Sequence, residues 1–548
     1  MPVMKNYQNH LRIILLLFII SGLVPLRAFA QAKYFIAFTD KQNSTYSVDN
    51  PNEFLSARAI ERRAKQGIAI STDDLPVSPA YVNQVAQSAT MVHYSLRWFN
   101  GVVATLTPEQ LTSVQGLPFV KNITKIYEPA KSETDDKTEW QPLGTNEKRE
   151  FAGLNYGASY TQIAMMNGHL LHANGYLGQE KVIAVLDAGF LNVNTHNAFD
   201  SLWQRGRILG ARDFVNPQSD IYKEHYHGTM VLSAMGGYID GQLIGTAPRA
   251  NYWLIRTEDA ATEQIIEEYN WAAGAEFADS VGADIINSSL GYTTFDVASQ
   301  NHTYQDLNGN TAPVTLAANM AASKGMVVVV SAGNDGNAPW HYISVPADSP
   351  NVLTVGAVDN KRVKADFSSF GPTADGRIKP DVCAMGKGTV LAIATGTTGT
   401  SNGTSFSSPL MAGMVACLWQ AKPSLTAQQI VELVKSSSSN NASPNNSTGY
   451  GIPDFAQAST SSITDARNSI ELWPNPFTSK INILLGKSFI PANISIFTTN
   501  GQLILTMNAF SDGTGHVEIN ISEELPKGIY LLSIDISGSR YYVTGIKQ

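Results

Sequence analysis

At 548 residues the chain is longer than one ordinary domain, and 43% hydrophobic against 15% charged residues gives it apolar material for more than one packed core. Its formal net charge of −8, with no basic cluster to neutralise phosphates, excludes a nucleic-acid-binding role.

Lys5 and Arg12 precede the apolar run Ile13 to Val24, and Ala28-Phe29-Ala30 offers small residues for cleavage before Gln31. Residues 1–30 therefore read as a secretory signal, because the apolar run is short for a membrane span of about 20 residues. Lys33 to Thr39 alternates as a strand does, and Asn52 to Gln66 has helical periodicity with Phe54, Ala57 and Ile60 on one face. Further elements are predicted at Tyr81 to Gln87, Met91 to Leu106, Pro108 to Gly116 and Val120 to Tyr127. Residues 31–150 thus form a small α+β unit of the split βαβ type that ends in the polar stretch Lys131 to Glu150.

From Tyr156 onward strands alternate with helical segments. They fall at Ala250 to Ile255, Ala261 to Ser280, Ala283 to Ser289, Pro313 to Lys324 and Met326 to Val330. The fold class over 151–460 is therefore α/β, a parallel sheet flanked by helices. Lys181 to Leu186 reads as a buried strand that delivers Asp187 at its carboxyl end, before the turn Ala188-Gly189. His227 opens the run His227-Gly228-Thr229, which leads into small and apolar residues. Gly403-Thr404-Ser405-Phe406-Ser407-Ser408-Pro409 sets a serine between a glycine-bearing turn and an apolar helix, with proline expected in its first turn. Residues 461–471 read as a linker. Beyond it, Ile481 to Leu485, Ile494 to Phe497, Leu503 to Thr506, Val517 to Ile521 and Ile529 to Ile536 read as strands of a β-sandwich over 472–548, with turns such as Asn500-Gly501.

A serine hydroxyl is a weak nucleophile at neutral pH and needs a base within hydrogen-bond reach, itself oriented by a third group. Asp187, His227 and Ser405 supply these groups in one of the three chain orders known for that geometry. The G-x-S-x-G elbow of α/β-hydrolases is missing, since Ser407 stands where the last glycine belongs. Other segments follow in order: Gly245-Thr246-Ala247-Pro248, Ile285 to Gly291, Ser331-Ala332-Gly333-Asn334, Val345-Pro346-Ala347 and Lys379-Pro380-Asp381-Val382. With these segments the chain resembles the subtilisin-like serine protease (subtilase, peptidase S8) family from about Tyr156 to Ala458.

The resemblance implies a serine endopeptidase in which Asp187 orients His227, His227 takes the proton of Ser405, and an acyl-enzyme forms. It also implies that Asn334 is an oxyanion donor, with the Ser405 N–H beside it, and that Ser289, Leu290 and Gly291 bind substrate as an added strand. The α+β unit at 31–150 is similar to a subtilase propeptide, with removal expected within Lys131 to Glu150. Leu472 to Gln548, from Trp473-Pro474-Asn475-Pro476 to the closing Gly545-Ile546-Lys547-Gln548, resembles a type IX secretion sorting domain. Two residues depart from the family pattern. Ala188 removes a hydroxyl beside Asp187, and Phe406 is an apolar replacement expected to pack. Ser344 suggests a small pocket floor.

No catalytic metal and no cofactor are expected, and a structural calcium is left open. Asp306-Leu307-Asn308-Gly309-Asn310 lacks the remainder of an EF-hand, and no HExxH follows His225 and His227. Cys383 and Cys417 leave both a disulfide and two buried thiols open. The expected product is a monomer exported through the inner membrane, then secreted or attached to the cell surface. Its partners would be protein or peptide substrates and the type IX machinery. The alternatives are a catalytically silent surface protein that binds peptides, and an esterase with the same triad.

Overall fold

The computed structural model describes residues 32–42, 44–129, 140–143, 149–461, 471–485, 491–499, 502–512, 516–522, 525–536 and 539–548. The expected signal segment, most of the polar stretch from Lys131 to Glu150, most of the 461–471 linker and the Asn500-Gly501 turn lie outside them. The chain divides into two compact units, Met1–Thr460 and Ser461–Gln548.

The first unit begins with β1 (Lys33–Phe38), α1 (Ala57–Gln66), α2 (Pro79–Ser88), β2 (Met91–Leu96), β3 (Gly101–Thr105), α3 (Pro108–Gln115) and β4 (Val120–Tyr127). The strands form an antiparallel sheet in the order β2-β3-β1-β4, the arrangement of a split βαβ unit. The stretch predicted as one element from Met91 to Leu106 is two paired strands, joined by a tight turn in which Asn100 takes a positive φ of 48°. Alternate residues of β1 serve two cores. Ile36 and Phe38 pack with Val85 and Val114 of α2 and α3, whereas Phe35 joins Tyr269 on the other face with ring centroids 5.0 Å apart.

The predicted inner face of α1 is corrected. Ala57 is exposed, and the helix buries Ala59, Arg62 and Arg63 instead. Two buried guanidinium groups are tolerable because Asp279 meets them: Arg62 Nη2 lies 2.5 Å from its Oδ1 and Arg63 Nη2 lies 2.9 Å from its Oδ2. Arg97, from the β2–β3 turn, adds a third contact to Oδ2 at 2.5 Å. Burial works to raise the pKa of Asp279, but the three arginines outweigh it and hold the carboxyl below its ordinary value.

Next come β5 (Val182–Asp187), β6 (Ile208–Asp213), α4 (His227–Gly236), β7 (Asn251–Arg256), α5 (Ile266–Val281), β8 (Ile285–Ser288), α6 (Pro313–Ser323), β9 (Val327–Ser331), β10 (Leu353–Val358) and β11 (Val382–Met385). Their strands make a seven-stranded parallel sheet ordered β11-β10-β9-β8-β5-β7-β6. The chain lays β6 and β7 to one side of β5 and then β8 to β11 to the other. The carboxyl end of β5, where Asp187 stands, is therefore the place where such sheets open a crevice. Helix α5 is buried along most of its length because the sheet covers one side and the N-terminal strands cover the other. It starts at Ile266 rather than near Ala261, since the Glu267 carboxylate takes the N–H groups of Asp259 and Gln264 and holds the preceding residues as a loop.

After the hairpin β12 (Lys387–Ile393) and β13 (Thr397–Asn402), the helix α7 (Thr404–Ala421) runs through the interior, buried from Thr404 to Trp419. Pro409 lies in its second turn, not in the first as predicted. It removes the N–H that would bond to the Ser405 carbonyl, and the Ser289 hydroxyl supplies that bond instead at 2.9 Å. Cys383 and Cys417 are both buried and unpaired, and the Cys417 thiol faces the Thr246 carbonyl at 3.2 Å.

In the second unit, β14 (Glu471–Trp473), β15 (Lys480–Leu484), β16 (Pro491–Thr498), β17 (Leu503–Phe510), β18 (His516–Asn520), β19 (Gly528–Ile536) and β20 (Ser539–Lys547) form two sheets. Their orders are β14-β15-β18 and β17-β16-β19-β20, and Ile481, Ile483, Ile494, Ile496, Leu532 and Ile534 share one core between them. Strands β14 and β20 were not predicted; β20 alternates weakly, with Gly545 and Lys547 among its residues.

Candidate active site

Asp187 is fully buried at the end of β5. Its Oδ1 accepts the Ala188 N–H at 2.8 Å and the His227 Nδ1–H at 2.8 Å. A carboxylate only accepts, so this bond assigns the proton to Nδ1 and makes Nε2 the ring nitrogen able to take another. His227 is the first residue of α4. The helix can come this close only because Gly228 follows: a Cβ there would lie 2.3 Å from the Gly189 carbonyl oxygen and 3.0 Å from the Asp187 Cβ. The Phe406 ring packs 5.9 Å from the imidazole, centroid to centroid.

Ser405 sits in the first turn of α7, where backbone N–H groups have no partner within the helix. Its hydroxyl donates to the Ser289 carbonyl at 3.1 Å, and the Ser289 hydroxyl returns a bond to the Ser405 carbonyl. The nucleophile candidate is thereby tied to the residue that follows β8. Asn334 is oriented by Thr404, whose N–H and hydroxyl donate to its Oδ1 at 2.9 and 3.0 Å. A backbone N–H must meet oxygen, so the Asn334 Nδ2 amide is left as a donor.

His227, Ser289, Leu290, Gly291, Asn334 and Ser405 line one cavity of about 540 Å³, with Asp187 behind the imidazole. Two buried oxygens here lack partners among the described residues. One is Asp187 Oδ2, beside which Ala188 contributes only a methyl group; the other is the Ser344 hydroxyl, which also borders the cavity. The sequence reading missed four acids that also line this cavity, Glu258, Asp259, Glu263 and Glu267. Burial pushes the Glu258 carboxyl up to about 7, against the hydrogen bonds it accepts from Tyr292 and Thr257. Of these acids only Glu263 was assigned to a helix that in fact starts after it, at Ile266; Glu258 and Asp259 precede the predicted helix and were given no role.

Among the described residues no group of three or more His, Cys, Asp or Glu is placed to hold a metal ion. In the Asp306 to Asn310 segment, Asp306 Oδ2 accepts from Thr303, and Asn308 Oδ1 from Asn310 N and the Thr311 hydroxyl. No helix among the described residues is long and apolar enough to cross a membrane.

The sequence matches the model of the subtilase family over residues 178–451. It matches that of the peptidase S8 propeptide domain of Bacteroidota over 33–141, and that of a secretion system C-terminal sorting domain over 471–547. Subtilisin E of Bacillus subtilis (strain 168) is 30% identical over 280 residues, 50% of this chain and 64% of that protein. Serine protease AprX of the same strain is 30% identical over 363 residues, 61% of this chain and 72% of that protein. The chain thus spans less than two thirds of the length of subtilisin E and somewhat more of AprX. Among solved structures, MycP1 from Mycobacterium smegmatis is similar at 22% identity, over 62% of this chain and 93% of that one, with a TM-score of 0.45.

Proposed function

Because the chain belongs to the subtilase family, we propose that it is an exported serine endopeptidase whose Asp187, His227 and Ser405 act as a charge-stabilised nucleophilic triad. The observation that carries this reading is the 2.8 Å bond from His227 Nδ1 to Asp187 at the edge of a cavity that Ser405 and Asn334 also line.

In the proposed reaction the Ser405 hydroxyl turns from the Ser289 carbonyl, gives its proton to His227 Nε2, and attacks the substrate carbonyl. Asp187 stabilises the imidazolium so formed. The Asn334 Nδ2 amide and the Ser405 N–H take the charge on the tetrahedral oxygen, helped by the positive end of α7. Collapse passes the proton from the imidazolium to the leaving amine and leaves an ester at Ser405, which water then hydrolyses by the same steps in reverse. Ser289, Leu290 and Gly291 would pair with the extended substrate.

The N-terminal unit is proposed to act as a removable, inhibitory propeptide. Its last strand is clipped beside the cavity wall, where Gln264 exchanges hydrogen bonds of 2.9 and 2.8 Å with the Glu128 backbone. Residues 1–30 would direct export across the inner membrane, and the C-terminal unit would hand the protein to the type IX machinery for release or surface attachment. Deleting residues 472–548 should then trap the protein in the periplasm, and unchanged export would overturn that role.

The test of the chemistry is the secreted protein beside its Ser405→Ala variant, assayed for casein cleavage and for labelling by a fluorophosphonate. Cleavage and labelling should disappear together in the variant, with turnover down about a million-fold, the loss known when a subtilisin is deprived of its nucleophile. A folded, propeptide-free wild type that neither cuts nor labels would overturn the protease reading in favour of the peptide-binding alternative.

A further inference from the structure

We propose that Glu263, together with Glu258, makes this cavity select peptides that carry a lysine or arginine side chain beside the bond to be cut; the inference rests on the protease reading above. The cavity that Ser289 to Gly291 line also carries Glu258, Asp259, Glu263 and Glu267, and no lysine or arginine is among the residues lining it.

These acids differ in what already engages them. Glu267 spends both oxygens on the N–H groups of Asp259 and Gln264 at the start of α5, which is a structural role. Glu258 accepts from the Tyr292 hydroxyl at 2.5 Å. Asp259 Oδ1 takes the Ala261 N–H at 3.2 Å and lies 3.9 Å from Arg256, a cation shared with Asp213 and Glu224. The half-buried Glu263 carboxylate has neither a hydrogen bond nor an ion pair among the described residues. Burial, then the charges of Glu258, Asp296 and Glu268, push it up to about 8. A carboxyl so placed gains most from a cation that enters the cavity, because burial and like charge both penalise it while it stands alone.

A second observation comes from another residue of the cavity lining. Ser344 is 4% exposed, its hydroxyl has no partner among the described residues, and it borders the same cavity close to Gly291 and Gly333. An apolar occupant would leave this oxygen unmet as well, whereas an ammonium or guanidinium group brings several donors. The carboxylates do not converge as metal ligands do. A monovalent organic cation reaching in on a flexible stem fits their spread better than an ion held by fixed ligands.

The test uses the secreted, propeptide-free protein and a fluorogenic peptide series in which the residues preceding the cleaved bond are changed one at a time to Arg, Lys, Leu or Glu. At one of these positions the Arg and Lys peptides should exceed the Leu peptide in kcat/KM by tenfold or more. The E263Q variant should bring that ratio near one while still labelling with fluorophosphonate, and E263D should keep most of it. Equal cleavage of Arg and Leu peptides at every position by the wild type, or a ratio that E263Q leaves intact, overturns the proposal. If no peptide is cut and nothing labels, the protease reading has failed separately. Fluorescence anisotropy of the Arg and Leu peptides on the same protein then decides the selectivity: tighter binding of Arg that E263Q abolishes supports it, and equal binding ends it.

Discussion

Two buried aspartates of the same unit are treated in opposite ways. Asp279, where α5 meets the N-terminal strands, has both carboxylate oxygens occupied by Arg62, Arg63 and Arg97. Asp187, in the cavity-lining site, has one oxygen held by His227 and Ala188 and the other buried without a partner. The first carboxylate has both oxygens engaged by cations. The second carries an unmet cost of the kind tolerated at functional sites, which suits the proposed role of Asp187 beside a proton that moves. The contrast concerns the two carboxylates alone, since Arg63 Nε and Nη1 and Arg97 Nε around Asp279 are themselves buried without partners among the described residues.

The comparison is broken most severely at the Asp279 side. Asp279→Asn would leave Arg62, Arg63 and Arg97 buried against a neutral amide, and removing one partner of a buried ion pair costs about 3–5 kcal/mol. The unprocessed protein should lose that much stability in chemical denaturation and accumulate poorly in secreted form. A variant as stable as the parent would mean that the arginine cluster is not what fastens α1 to α5. On the side of the proposed chemistry, Asn334→Ala removes the proposed oxyanion donor without touching the proposed triad. Turnover should fall about 10²–10³-fold with little change in KM, the loss known for one such donor in a subtilisin. An equal rise in KM would assign Asn334 to ground-state binding instead.

The same contrast explains what could be read from the sequence. Asp187, His227, Asn334 and Ser405 stand at the ends of strands and starts of helices, where short local patterns announce them, and the structure gathers them at a single site. The inner face of α1 could not be read this way. Its arginines are buried because Asp279 lies 217 positions away from Arg62, and periodicity carries no record of so distant a counter-charge. The start of α5 was misplaced for a related reason. The Glu267 side chain, not the residues ahead of the helix, decides where the loop ends. Pro409 was placed one turn early because the Ser289 hydroxyl that compensates for its missing N–H comes from the other side of the site. The acidic lining stayed hidden since its members are spread over a loop and a helix start, and only folding sets them around one space.

The smallest expected effect is also the most direct probe of the unmet oxygen. In Ala188→Ser the new hydroxyl can donate to Asp187 Oδ2, which at present has no hydrogen bond. A bond to a buried charged group should fix the carboxylate against rotation and keep Oδ1 on His227 Nδ1. At a net value of about 1 kcal/mol this corresponds to about a fivefold gain in kcat. The same bond should raise the melting temperature, since it satisfies an atom that folding now strands. Stability and kcat rising together would show that the bare oxygen is a simple deficit. A more stable variant with a lower kcat would show that a weakly held carboxylate makes the better partner for an imidazolium, and that the contrast with Asp279 is part of how the site works.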